Sequence, residues 1–316
     1  MNASQTHLAG IPGAPPAPAA GAGRAAPARP VPADGLVRRI GRTVLRPFRP
    51  VDEVAEAVEL GRRLQRATST GRRILVDDLG TGADAAVVTA LVARALAHFR
   101  HDRVLAVDAT GRAPSMADRL GAGEPGDLEG VDPATFESVC ASLGEVGENL
   151  WTVGAAPDRA DAYSSGLLPI SRFFGVTLVA GRADGAFPAA VGAGAHSRVR
   201  VVRATRESAL RVGRELDSLA ATSPDEVGRT VVVVFDEHRR EDPAFDVART
   251  TGIIAESGAA VVVVPHDRHL AQGAAVLPRL IGEATHRTVQ LIAAEALGRA
   301  VDGAAPAPAR ARTEGE

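Results

Sequence analysis

Short runs of branched aliphatic residues, each followed by a longer stretch with helical spacing, recur along most of the chain. The runs are 73–77 (RILVD), 103–107 (RVLAV), 150–153 (LWTV), 175–179 (GVTLV), 198–202 (RVRVV), 230–235 (TVVVVF) and 260–264 (AVVVV). Most are apolar throughout rather than alternating, the pattern of strands covered on both faces, as in a parallel sheet between helices. Helical spacing fits 52–66, 83–98, 113–120, 133–142, 206–221, 243–256 and 285–299. This rhythm predicts one α/β domain over 72–301: a doubly wound, mostly parallel sheet of about seven strands with helices on both faces. Ligands of such sheets sit beyond the carboxyl ends of the strands, so the residues just after each strand are the ones to inspect.

The flanks have a different pattern. Residues 1–35 and 302–316 are rich in Ala, Pro and Gly and lack periodic apolar positions, so they bury too little surface to offset chain entropy and are predicted to be disordered tails. Between the first tail and the domain lies a basic helical arm, 36–71. Its first part places Leu36, Ile40 and Val44 at i, i+4 and i+8, with Arg38, Arg39, Arg42, Arg46 and Arg49 around them and no acid. Packing on its own domain is the preferred reading; an anionic membrane surface or an acidic partner is the other.

Composition narrows the classes. Aromatics make up 3% of the 316 residues, so the core must be built from Val, Leu, Ile and Ala. A net charge of −2 gives no general attraction to nucleic acid or membrane. The one cysteine, Cys140, excludes an internal disulfide and a cysteine-rich zinc site, and its place on an apolar helix face makes it a core residue. No run approaches the roughly 20 apolar residues that span a bilayer, and no compact apolar leader follows a basic start, so a cytoplasmic location with at most peripheral membrane contact is expected. All 36 basic residues are arginine. A planar guanidinium cannot replace the compact ammonium that reaches between polyphosphate oxygens.

The first strand leads into a glycine-rich turn, LGTGADAA, and a helix. Three readings fit. Gly80, Gly82 and Ala85 have the G-x-G-x-x-A spacing of a dinucleotide fold, with Asp108 closing the next strand where a ribose-binding acid stands. The turn also suits a phosphate-binding loop, or a glycine turn that only packs helix against sheet. Asp84 in the first helical turn can accept from free backbone N–H groups and favours the positive end of the helix dipole.

Residues 68–121, 148–153 (ENLWTV), 167–185 (LLPISRFFGVTLVAGRADG) and 261–297 (VVVVPHDRHLAQGAAVLPRLIGEATHRTVQLIAAEAL) resemble the MinD/ParA-like P-loop ATPases of actinobacteria, in particular the group associated with type VII secretion. The resemblance implies a P-loop fold, ATP with magnesium, and a loop of the form K/R-G-G-x-G-K-[ST]-[ST]. Placed on that loop, the signature lysine becomes Leu79, the phosphate lysine Asp84 and the magnesium-binding hydroxyl Ala85. The aspartate expected after the GVTLV strand is Ala180, and Thr110 replaces one acid of the D-A-D phrase that begins at Asp108. The positioning and charge neutralisation of phosphoryl transfer thus lack carriers.

These departures imply a vestigial nucleotide site made of Gly80, Thr81, Gly82, Asp84, Ala85, Asp108, Asp236, Pro265 and His266, with no catalytic residue, no metal ligand and no cofactor. Asp236 is read as a strand-end turn acid, His266 and His269 as no metal pair, and the charge run 237–242 as a solvated loop. A regulatory or scaffolding protein of secretion or the cell envelope is the expected function, with protein partners, a possible homodimer and no specific nucleic acid. Two alternatives stay open. One is an ATPase with residual activity that uses Arg72, Arg73, Arg112 or a partner's arginine; the other is an NAD(P)-binding oxidoreductase built on Gly80, Gly82 and Asp108.

Overall fold

The protein is described by a computed structural model that covers residues 33, 51–68, 71–123, 126–239 and 242–303, without the side chains of 51–53. The expectations for the tails 1–32 and 304–316, and for the basic stretch 36–49, lie outside the described residues.

Helix α1 (Val51–Leu64) leads into β1 (Arg72–Asp77), α2 (Ala85–Phe99), β2 (Val104–Ala109), α3 (Met116–Leu120) and α4 (Phe136–Ala141). A hairpin of β3 (Gly144–Gly147) and β4 (Leu150–Gly154) follows, then α5 (Leu168–Ser171), β5 (Val176–Gly181), α6 (Ala186–Ala193) and β6 (Ser197–Arg203). The chain closes with α7 (Arg206–Thr222), α8 (Pro224–Gly228), β7 (Thr230–Phe235), α9 (Val247–Ala255), β8 (Ala260–Val264) and α10 (Glu283–Asp302).

The strands form one sheet in the order β3-β4-β2-β5-β1-β6-β7-β8, parallel except for β3. All seven expected strands are present. The eighth, β3, escapes the sequence pattern because Gly144 and Gly147 bound a four-residue run with a bulge, and glycine carries no side chain to mark a strand face. The short helices α5, α6 and α8 were also not expected: each has a proline in its first turns, and none is long enough to show a periodic apolar stripe.

Burial explains the uniform apolar strands. Every residue of β5 and β7 is buried, since helices cover both faces of the central sheet. On one face α2, α10 and α1 pack over Ile74, Val76, Val104, Leu178, Val199 and Val231. Ten of the fifteen residues of α2 are buried, which is why its sequence is apolar nearly all round. Leu64 of α1 belongs to the same core, and Arg63 pairs with Glu295 of α10 at 2.6 Å. The opposite face holds the aromatic cluster of Phe136, Trp151, Phe173 and Phe174, with the Arg103 guanidinium 3.7 Å from the Phe136 ring centre and Cys140 half-buried beside it.

β1 is central, between β5 and β6. The order of the sheet therefore reverses around its carboxyl end, where the chain crosses to β2 on one side and where β6 begins the other half.

His196 ties these halves together at the opposite end. Its Nδ1 accepts the Arg73 N–H at 3.0 Å, and its backbone N–H donates to the Arg73 carbonyl at 2.9 Å. Burial, and after it the Arg73 and Arg72 cations, lower the imidazole pKa to about 4. The fold thus prefers neutral histidine, so this stability is present above the ordinary value of 6.5 and is lost as pH falls from there toward 4. With His196 half-buried, solvent screening reduces the loss to roughly 1–2 kcal/mol. Urea unfolding should show that loss between neutral pH and pH 4, and His196→Asn, which keeps an acceptor but cannot titrate, should show less of it.

Candidate functional site

The turn after β1 takes a left-handed path: φ is 48° at Leu79, 69° at Gly80 and 76° at Gly82. Glycine adopts this region freely. Leu79 does so against its steric preference, and its side chain packs on the apolar cluster that includes Val202, Val212 and Val234.

Several backbone donors of this turn are taken up by the chain itself. Asp77 Oδ1 accepts the Leu79 N–H at 3.1 Å, and Asp78 Oδ1 accepts the Gly80 N–H at 3.0 Å. The Asp78 carbonyl accepts both the N–H of Thr81 at 2.8 Å and its hydroxyl at 2.7 Å, and Thr81 Oγ1 accepts the Ala83 N–H at 3.4 Å. Asp84 is the N-cap of α2, accepting the Val87 N–H through Oδ1 at 2.9 Å.

Each acid behind the turn faces an arginine. Asp77, 2% exposed, pairs with Arg200, which also holds Glu215 at 3.0 Å. Burial raises the Asp77 carboxyl above the usual range, and Arg200 draws it partly back. Asp78 meets Arg112 at 3.3 Å. The other oxygen of Asp84 binds Arg119, whose side chain is 7% exposed.

Asp108 seats the helix that carries Arg119. Asp108 Oδ1 accepts the N–H of Thr110 at 3.0 Å and its hydroxyl at 2.7 Å, while Oδ2 accepts the Met116 N–H at 2.7 Å. These bonds fold the chain after β2 and seat the start of α3, where Ser115 and Asp118 form a reciprocal cap. Arg119 follows in the last turn of α3, and its carbonyl accepts the Val276 N–H at 2.7 Å. Asp108 is thus committed to backbone and a neighbouring hydroxyl.

A cavity of about 160 Å³ remains, with Gly82, Asp84, Ala85, Arg112, Arg119 and Glu237 on its wall. Ligand pockets span about 300–1,000 Å³. Gly80, Thr81, Asp108, Asp236, Pro265 and His266 lie outside this wall. Asp236 follows β7 and donates its N–H to the Val264 carbonyl at 3.0 Å; Pro265 and His266 follow β8, with His266 Nδ1 3.2 Å from the Glu237 carbonyl. Ala180, in register between Val76 and Asp108, is fully buried.

Glu237 departs from the solvated loop expected for the charge run. His238 and Arg239 are exposed, whereas Glu237 turns back into the cavity and is half-buried with no hydrogen-bond partner for Oε2 among the described residues. Burial, and after it the Asp84 charge, raise its carboxyl pKa. The sequence pattern also missed Arg119: nothing in MADRL marks a buried arginine 35 positions from its partner. The PHD phrase has a structural role, since Asp267 accepts the N–H groups of His269 at 2.8 Å, Leu270 at 3.3 Å and Gly282 at 2.9 Å and so anchors the approach to α10. His269 is buried with Nε2 accepting the Leu277 N–H at 2.9 Å.

No family model and no curated protein sequence matches the chain. Solved structures do. A ParA family ATPase from Chlorobium tepidum TLS superposes with a TM-score of 0.56 at 16% identity, over 70% of this chain and 98% of that one. MinD in the MinC:MinD cell division complex of Aquifex aeolicus gives 0.52 at 18% identity, over 75% and 98%, and the Pyrococcus furiosus cell division ATPase MinD gives 0.51 at 15%, over 71% and 98%. The fold is that of the MinD/ParA ATPases.

Replacing Asp84 with lysine removes the α2 cap and sets a cation against buried Arg119, so Asp84→Lys should lose about 3 kcal/mol or more in denaturant unfolding. Asp84→Asn, which keeps a cap acceptor, should lose less. Glu237→Gln should be more stable than the parent at neutral pH, because a raised carboxyl pKa means stability that falls as pH rises from the ordinary value near 4.5 through the folded one. Below that ordinary value the two proteins should unfold alike.

Proposed function

We propose that this chain is a catalytically impaired MinD/ParA-like protein that works through protein contacts, in a regulatory or scaffolding role. The observation that supports this most directly is the Asp84–Arg119 pair at the head of α2. A phosphate-binding turn needs free N–H groups and a nearby cation at that point. In this chain a carboxylate stands there, capping the helix and neutralising the arginine that could have met a phosphate.

ATP with magnesium does not fit these residues. Leu79, Gly80, Thr81 and Ala83 donate internally, Ala85 has no hydroxyl, and Ala180 offers no carboxylate. The cavity of about 160 Å³ is small for a nucleoside triphosphate. We therefore expect no cofactor. The residual-ATPase alternative asks for an arginine in place of the lysine, yet Arg112 already faces Asp78 and Arg119 faces Asp84. The dinucleotide alternative is disfavoured because Asp108, its ribose acid, is committed to Thr110 and Met116.

The Aquifex aeolicus relative of this fold is found in complex with MinC. By analogy, a protein partner is the occupant we expect for this chain, and the sequence resemblance to the type VII secretion group points to a partner in secretion or the cell envelope. Among the described residues no helix is long and apolar enough to cross a membrane, in keeping with a peripheral role at most.

Two measurements on the purified chain test this. Phosphate release with magnesium and ATP should match a buffer blank, and the thermal midpoint should not move with millimolar ATP, whereas a ligand at 100 times its dissociation constant would add about 2.7 kcal/mol. Turnover abolished by Arg112→Ala would establish the residual-ATPase reading instead.

A further inference from the structure

A concavity of about 680 Å³ lies between the second half of α2, the β3–β4 turn and the head of α10, at the far end of α2 from the β1 turn. Leu91, Arg94, Ala95 and His98 line it from α2 at i, i+3, i+4 and i+7, which is one face of that helix. His286 and Val289 line it from α10, and Leu150 from β4.

Arg94 is out of keeping with its helix. The sequence of α2 is AAVVTALVARALAHF, ten of its fifteen residues are buried, and Arg94 is its one permanent side-chain charge. Its Nη2 donates to the Leu120 carbonyl at 2.6 Å, whereas Nε is shielded from solvent with no partner, and no carboxylate pairs with the guanidinium among the described residues. Burial lowers its pKa, as expected of a cation that has lost water without gaining an anion. Such a charge costs stability until something neutralises it.

The rest of the wall does not supply the missing anion. Arg100 is saturated: Nε and Nη2 hold the Asp102 carboxylate, and Nη1 donates to the carbonyls of Leu64 at 3.2 Å and Arg66 at 2.7 Å. His286 donates from Nε2 to the Pro278 carbonyl at 2.7 Å, and His98 and His101 are exposed at the rim. Glu148, the one acid among the wall residues, is exposed in the β3–β4 turn. One uncompensated guanidinium is left beside the apolar side chains of Leu91, Leu150, Ile281 and Val289.

We propose that this concavity binds a small amphipathic anion, a carboxylate on an aliphatic chain, with the carboxylate on Arg94 and the chain along Leu91, Leu150, Ile281 and Val289. A single cation matches a single negative charge, and the guanidinium fork matches the two oxygens of a carboxylate. The volume lies within the range of about 300–1,000 Å³ that small-molecule sites occupy. The proposal does not depend on whether the β1 turn binds nucleotide.

The test titrates the full chain with sodium octanoate at neutral pH. Calorimetry should give one site per chain, and the amide signals that move in NMR should be those of residues 91–101, 146–150 and 286–290. Arg94→Met, which keeps an apolar stem and removes the charge, should weaken binding about tenfold or more, as expected for loss of a charged hydrogen-bond partner. Octan-1-ol and inorganic phosphate should each bind about tenfold more weakly than octanoate, because each offers only half of the required chemistry. Ala95→Phe, which fills the concavity without touching the charge, should also weaken octanoate binding, and it carries the test if Arg94→Met does not fold. No heat and no shifts at millimolar octanoate would overturn the proposal. So would unchanged affinity in Arg94→Met, or shifts confined to other residues. Octanol binding as tightly as octanoate would reduce the site to an apolar surface, and phosphate binding as tightly would mean an adventitious ion only; either result overturns it.

Discussion

The contact on which the centre of this structure depends is the ion pair between Asp84 and Arg119 at the amino end of α2. Four free N–H groups and the helix dipole make that point attractive to an anion, and a helix pointing at the centre of a doubly wound sheet must have the attraction met. Asp84 meets it from within the chain. The arginine is held by the short helix α3, which Asp108 in turn seats at the end of β2. Acid, helix and arginine form a chain of dependence from one strand end to the next, with Asp84 and Asp108 fixed by backbone hydrogen bonds.

The rest of the carboxyl edge has the same character. Asp77 with Arg200, Asp78 with Arg112 and Asp84 with Arg119 set three acids against three arginines within one turn and its neighbours. Buried pairs contribute little net stability over apolar packing, yet breaking one leaves a desolvated charge at large cost. Such a centre holds one arrangement firmly. Glu237 differs: it enters the cavity beside Asp84 with Oε2 unbonded among the described residues, and burial, with the Asp84 charge after it, raises its pKa.

In doubly wound sheets ligands sit beyond the carboxyl ends of the strands. For this chain the central edge is occupied by its own side chains, and the larger concavities lie around α10.

The sequence alone determined the architecture. Strands such as TVVVVF and helices such as AAVVTALVARAL are apolar because both faces of the sheet are covered, and that burial is visible as composition before any coordinate is known. It also determined that an aspartate and an alanine stand at 84 and 85, since identity at a fixed spacing needs no third dimension. Tertiary structure decided what they meet. That Arg119 meets Asp84, that Asp108 is committed to α3, and that Glu237 turns inward rather than out all depend on contacts between residues far apart in the chain. Side-chain pairing of this kind leaves no periodic trace, because a single charged residue in a short helix or loop looks the same whether it faces water or a buried partner.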